Sequence, residues 1–84
     1  MPYSVEYLPS AKKQLDALTG DIHGRISAAI DDLGDNPRPP GCKKLKGRDE
    51  YRIRIGDYRV IYEIHDAVLL VLVVRVAHRS GVYR

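Results

Sequence analysis

Three arginines alternate along a short stretch, Tyr51 to Glu63, that reads YRIRIGDYRVIYE. Successive residues of a strand point to opposite faces, and residues directly opposite one another in an antiparallel pair share a face. With Gly56 and Asp57 as the two loop residues of a hairpin, Ile55 pairs with Tyr58, Arg54 with Arg59, Ile53 with Val60 and Arg52 with Ile61. Arg52, Arg54 and Arg59 then emerge on one side, and Tyr51, Ile53, Ile55, Tyr58, Val60 and Tyr62 on the other, where they form the natural core. Like charges set opposite one another oppose pairing by roughly 0.2–1 kcal/mol. Glu63 is on the same face but two or more residues from Arg59, so it relieves part of that repulsion at most. Guanidinium groups gathered in this way suit bidentate recognition of phosphate or carboxylate. The alternative is a solvated outer face that uses charge to discourage aggregation.

The C-terminal RVAHRSGVYR adds His78, Arg79 and Tyr83 just after an apolar strand, where a short extension brings them to the edge of the arginine face. A lone loop histidine or terminal tyrosine is usually structural. Beside several arginines they complete the group types that metal-free phosphodiester chemistry needs: cations for the developing charge and side chains that can move or position a proton. Lys43, Lys44 and Lys46 are either phosphate contacts or a solvated edge strand. His23, His65, His78 and Cys42 are scattered with no CxxC or HxxxH spacing, so no metal site is expected. No GxGxxG or Walker-type loop occurs, and no cofactor is expected.

These side chains need a scaffold. PYSVEYL alternates polar and apolar residues and predicts a first strand, ended by Pro9. Ser10 is placed as the N-cap of a helix carrying Ala11, Leu15 and Leu18 on one face and stopped by Gly20. Asp21 caps a second helix, with Ile22, Ile26, Ala29, Ile30 and Leu33 as its buried stripe, until the prolines of DNPRPPG end it. CKKLKG is a weak strand candidate. Tyr51–Ile55 and Tyr58–Ile64 form the hairpin, His65–Ala67 turns, and Val68–Val76 closes the sheet. The order predicts an α+β fold: an N-terminal strand, a two-helix hairpin on one sheet face, and an antiparallel C-terminal sheet of three to four strands.

At 84 residues the chain is expected to form one domain, residues 1–84, with a modest core. Its 44% hydrophobic and 30% charged residues belong to a globular protein. The net charge of +3 understates a local concentration, because half of the fourteen Lys and Arg residues lie between positions 43 and 59. That block implies an anionic partner. A single cysteine and the absence of a signal-peptide pattern point to the cytoplasm. The apolar run Val68–Val74 is far below the roughly 18 residues that span a bilayer, so no membrane association is expected.

LKGRDEYRIRIGDYRVIYEI followed by VLVVRVAHRSGVY resembles the RelE toxins of bacterial toxin–antitoxin pairs, and YSVEYLPSAKKQLDAL extends the resemblance over almost the whole chain. The resemblance implies an endoribonuclease that enters the ribosomal A site, cuts messenger RNA without a metal, and is held inactive by a cognate antitoxin. Arg52 and Arg54 take positions often held by lysines, Arg59 that of the strand arginine, Arg79 that of the arginine after the last strand, and Tyr83 that of the terminal tyrosine. His78 falls where some relatives carry a catalytic histidine. Attack of the 2′-OH on its neighbouring phosphate would give a 2′,3′-cyclic phosphate, with Arg59 and Arg79 stabilising charge, Arg52 and Arg54 clamping the backbone, and Tyr83 stacking or moving a proton. Arginine is a poor general base, which leaves His78 as the best candidate unless positioning on the ribosome supplies most of the rate. Related ParE toxins share the scaffold and bind DNA gyrase instead, and a non-catalytic RNA-binding module is the third reading.

Overall fold

The computed structural model describes residues 2–47 and 49–78. Its elements run β1 (Ser4–Tyr7), α1 (Pro9–Asp16), α2 (Gly20–Leu33), β2 (Lys43–Lys44), β3 (Glu50–Ile55), β4 (Tyr58–His65), a single 3-10 turn (Asp66–Val68) and β5 (Leu70–His78). The expected α+β order is present, with four antiparallel C-terminal strands, and the N-terminal strand joins them in one mixed sheet. Five strands lie in the order β1-β5-β4-β3-β2. β1 joins β5 in parallel, while the remaining pairs are antiparallel.

The helices begin at different residues from those expected. α1 starts at Pro9 with Leu8 in the N-cap position, not at Ser10. Proline at the first helical position has its φ already set and lacks the N–H that would go unsatisfied there, so it starts the helix without a side-chain cap. α1 also ends at Asp16, before Gly20, which instead opens α2 with a φ of 68° that a glycine adopts without strain. Thr19 holds the N-cap position of α2, and Asp21 sits in its first turn, where a carboxylate meets the positive end of the helix dipole.

Ala11 and Leu15 from α1 and Ile26, Ile30 and Leu33 from α2 pack on Ile53, Val60, Tyr62, Val71, Val73 and Val76 of the sheet. Of the sheet residues, Ile53, Val60 and Tyr62 are among those that the hairpin parity assigned to the inner side. Gly24 is exposed in the middle of α2, and a Cβ there would meet nothing within 4 Å. Glycine in a helix interior is less favourable than alanine by roughly 0.5–1 kcal/mol. Gly24→Ala is therefore expected to raise the melting temperature by about 2–8 °C. Thermal denaturation checks this, and a lower melting temperature would show that Gly24 serves a close approach absent from this structure.

In β4 and β5 the register shifts between Ile61 and Tyr62. Ile61 pairs with Arg75 and Tyr62 with Val73, so Val74 is the extra residue of a β-bulge. Strict alternation from Val71 and Val73 would turn Arg75 into the core. The bulge reverses the parity, directing Arg75 to the outer face and Val76 inward.

Candidate nucleic-acid interface

The face of the sheet away from the helices carries two rows of basic residues. Arg54 lies opposite Arg59, and Arg59 opposite Ala77. One row along, Lys43 lies opposite Arg52, Arg52 opposite Ile61, and Ile61 opposite Arg75. Neighbouring strands are about 4.8 Å apart, and two residues along a strand advance about 6.7 Å, so these cations share a compact patch. The sequence-derived hairpin register is the observed one.

Arg59 is the only buried charged residue among the described residues, at 5% exposure, and it belongs to the central strand of the five. The Nε atoms of both Arg59 and Arg52 are shielded from solvent. A guanidinium so placed is already partly desolvated, and it attracts an anion more strongly than one projecting into water. Arg54 and Arg75 are exposed, and Arg52 is half-buried. The face thus offers one recessed cation with more accessible ones around it, an arrangement that can hold one phosphate at depth and others at the rim. Glu63 is four residues along β4 from Arg59. It lies opposite Glu50 and contacts His65 Nε2 at 2.8 Å, at the far end of the strand from Arg59.

Other sequence-derived candidates are separated from this patch. Lys44 pairs with Tyr51 on the opposite parity and approaches Asp49 at 3.9 Å, an exposed pair of little energetic weight. Lys46 is exposed in the turn after β2. The expected placement of His78 beside the arginines is corrected by the register. His78 lies opposite Tyr58, and the two rings meet edge-on with centroids 5.3 Å apart. Tyr58 packs against the core, and Ala77 is the residue opposite Arg59, so alternation turns His78 to the helix side. Arg79 and Tyr83 lie outside the described residues. Among the described residues, no group of three or more His, Cys, Asp and Glu gathers to hold a metal ion.

Sequence reasoning missed two features. Arg75 is one, although a charge inside the apolar run VLVVRVA was a signal that the strand must turn it outward. The other is a staple at the end of the sheet away from the Gly56 hairpin. Arg38, from the proline-rich segment, binds Asp66 through Nη2 at 2.9 Å and Nη1 at 3.3 Å, and lies over the Tyr51 ring at 5.4 Å. Tyr3 donates its hydroxyl proton to the same carboxylate. Tyr62 donates to the Pro37 carbonyl at 2.7 Å, and burial pushes its phenol well above the usual range. The loop after α2, the start of β1 and the β4–β5 turn are thereby joined, which fixes the sheet that carries the arginines.

Hydrogen bonds from Arg38 first, and from Tyr3 second, hold the Asp66 carboxyl below the ordinary aspartate range. A lowered folded-state pKa contributes stability that is complete above the unfolded value of about 3.9 and disappears as pH falls through the folded value. Asp66→Asn should therefore destabilise the protein at neutral pH, with its difference from wild type narrowing below about pH 4. Urea melts across an acid series check this, and a difference that stays constant with pH would contradict the ionic origin of the staple.

The sheet is thus mixed, covered by two helices on one side and bearing rows of arginine on the other. A family model described as the ParE toxin of the type II toxin–antitoxin system parDE matches residues 5–83. Toxin RelG of Mycobacterium tuberculosis is 33% identical over 88 residues, covering 100% of this chain and 99% of the relative. The archaeal RelE–RelB complex from Pyrococcus horikoshii matches with a TM-score of 0.84 at 30% identity, over 94% of this chain and 97% of that one. The RelBE2 toxin–antitoxin complex of Mycobacterium tuberculosis gives 0.81 at 29% identity, over 94% and 100% respectively. This chain belongs to the RelE family of type II toxins, within the RelE/ParE superfamily. Its structural relatives in complexes with antitoxins support an antitoxin as its partner.

Proposed function

We propose that the chain is a ribosome-dependent endoribonuclease that cuts messenger RNA in the A site, acts in the cytoplasm, and is silenced by its cognate antitoxin. The observation that carries this reading is the recessed Arg59 facing Arg54 on the side of the sheet left open by the helices. In the reaction the 2′ oxygen attacks its adjacent phosphorus and the P–O5′ bond breaks. The 2′-hydroxyl proton passes to a base, and O5′ takes one up. Charge grows on the non-bridging oxygens, where a desolvated guanidinium stabilises most. Arg59 fills that role, Arg54 and Arg52 hold the backbone, and Lys43 reaches it from the sheet edge.

Arg79 and Tyr83 are assigned by family resemblance, as a second charge stabiliser and as a stacking or proton-positioning group. His78, packed on Tyr58 across the sheet from Arg59, is poorly placed as the base. Most of the acceleration then comes from charge stabilisation and from the alignment of the 2′ oxygen imposed on the ribosome. Gyrase inhibition, implied by the resemblance to ParE toxins, is the second reading, kept by the match to the ParE toxin family model, and a supercoiling assay decides it.

The chemistry is tested with a programmed messenger carrying one 2′-deoxynucleotide immediately 5′ of the cut. Cleavage should stop at that position, and the unmodified messenger should yield a 2′,3′-cyclic phosphate and a 5′-hydroxyl. Cutting that ignores the missing hydroxyl, or leaves a 3′-hydroxyl end, would rule this chemistry out.

A further inference from the structure

The β-bulge at Val74 turns Val76 into the core and also decides which side of the sheet receives Arg75. With it, Arg75 joins the row of Lys43, Arg52 and Ile61, one row from Arg54 and Arg59. Ile61 is 5% exposed and flanked on both sides by arginine, so Arg52 and Arg75 stand either side of an apolar floor. We propose that Arg52 and Arg75 form a second phosphate subsite, which holds the phosphate next to the scissile one and so fixes the register of the RNA strand. The proposal rests on reading this face as the RNA site.

The spacing supports it. The two rows are about 6.7 Å apart along the strands, comparable to the separation of successive phosphates in an extended ribose–phosphate chain. Arg59 lies in one row and Arg75 in the other, on adjacent strands, so one RNA backbone crossing the rows meets both. Bulges occur where a strand must re-aim a side chain. Arg75 is exposed, which suits a clamp that must capture its ligand from solvent, whereas the recessed Arg59 suits the phosphate undergoing reaction.

The test uses the full chain on programmed ribosomes, with messengers carrying a single neutral methylphosphonate at the linkage on one or the other side of the cut. One of the two should raise KM for the wild type about tenfold, the scale of one lost charge-assisted contact. Arg75→Gln should raise KM about tenfold on the all-phosphate messenger, lower kcat much less, and show no further loss on that neutral messenger, with Arg75→Lys recovering part of the affinity. Two losses that multiply, or an unchanged KM in Arg75→Gln, would overturn the subsite. If the wild type cuts no messenger, the nuclease reading fails, and binding of a fully 2′-O-methylated oligoribonucleotide decides the subsite separately. In Arg75→Gln the slope of log affinity against log salt should then be shallower by about 0.7, the value for one phosphate contact on a single strand. An unchanged slope, or no binding by the wild type, would overturn it.

Discussion

Arg59→Met is expected to reduce A-site cleavage by about 100- to 1,000-fold, the usual loss when one pre-organised donor is removed from a developing charge. Methionine keeps a long, flexible, apolar stem at a position that is 5% exposed, so packing between Arg54 and Ala77 is preserved and the loss is read in kcat. Arg59→Lys should recover only part of the rate, because a point charge cannot present the two parallel donors of guanidinium. His78→Ala is the internal comparison. With its ring against Tyr58 on the other side of the sheet, its loss should stay below about tenfold, under the usual range for a general base. A His78 effect equal to that of Arg59 would return proton transfer to that residue.

The largest stability effect is expected at Tyr62. It is fully buried, stacks on Tyr51 with ring centroids 6.0 Å apart, and closes the proline-rich loop through its hydroxyl. Tyr62→Ala should cost about 3–5 kcal/mol, by analogy with other buried aromatic truncations. Small domains lose about 4–8 °C per kcal/mol, so the melting temperature should fall by at least about 12 °C. Tyr62→Phe isolates the hydroxyl. It leaves the Pro37 carbonyl without its partner and should cost about 1–3 kcal/mol. Chemical denaturation of the two variants separates the ring from the hydrogen bond. A cost below about 1 kcal/mol for Tyr62→Ala would mean the staple is not where the sheet is held.

Local rules made the hairpin legible. A two-residue turn at Gly56-Asp57 admits one register, and parity then sorted arginines from core residues without knowledge of the rest of the chain. The buried stripe of α2 was equally legible, because Ile26, Ile30 and Leu33 recur at the helical period. Helix starts were less so: Ser10 and Asp21 have good capping chemistry, but Pro9 and the Thr19-Gly20 pair set the backbone first. The parallel pairing of β1 with β5 depends on what the intervening helices cover, which no local pattern encodes.

The bulge was the costliest omission. An extra residue leaves no mark on composition, and only the spacing of Val71, Val73 and Val76, two residues and then three, together with the charge of Arg75 between them, betrays it. It gave Arg75 to the outer face and, with the alternation beyond it, took His78 to the inner one. The staple was hidden for another reason. Tyr3 and Arg38 lie 63 and 28 residues from Asp66, and nothing in DNPRPPG announces a partner at that distance.

Where, and whether, messenger RNA is cut decides the role of the arginine face. Purified toxin is added to bacterial ribosomes programmed with a defined messenger, ends are mapped by primer extension, and free messenger and Arg59→Met serve as controls. New 5′ ends confined to the A-site codon, absent from free RNA and suppressed in Arg59→Met, are expected. Intact messenger at toxin excess, with gyrase supercoiling blocked by the same preparation, would contradict the nuclease reading and turn the arginine face into a docking surface for a protein.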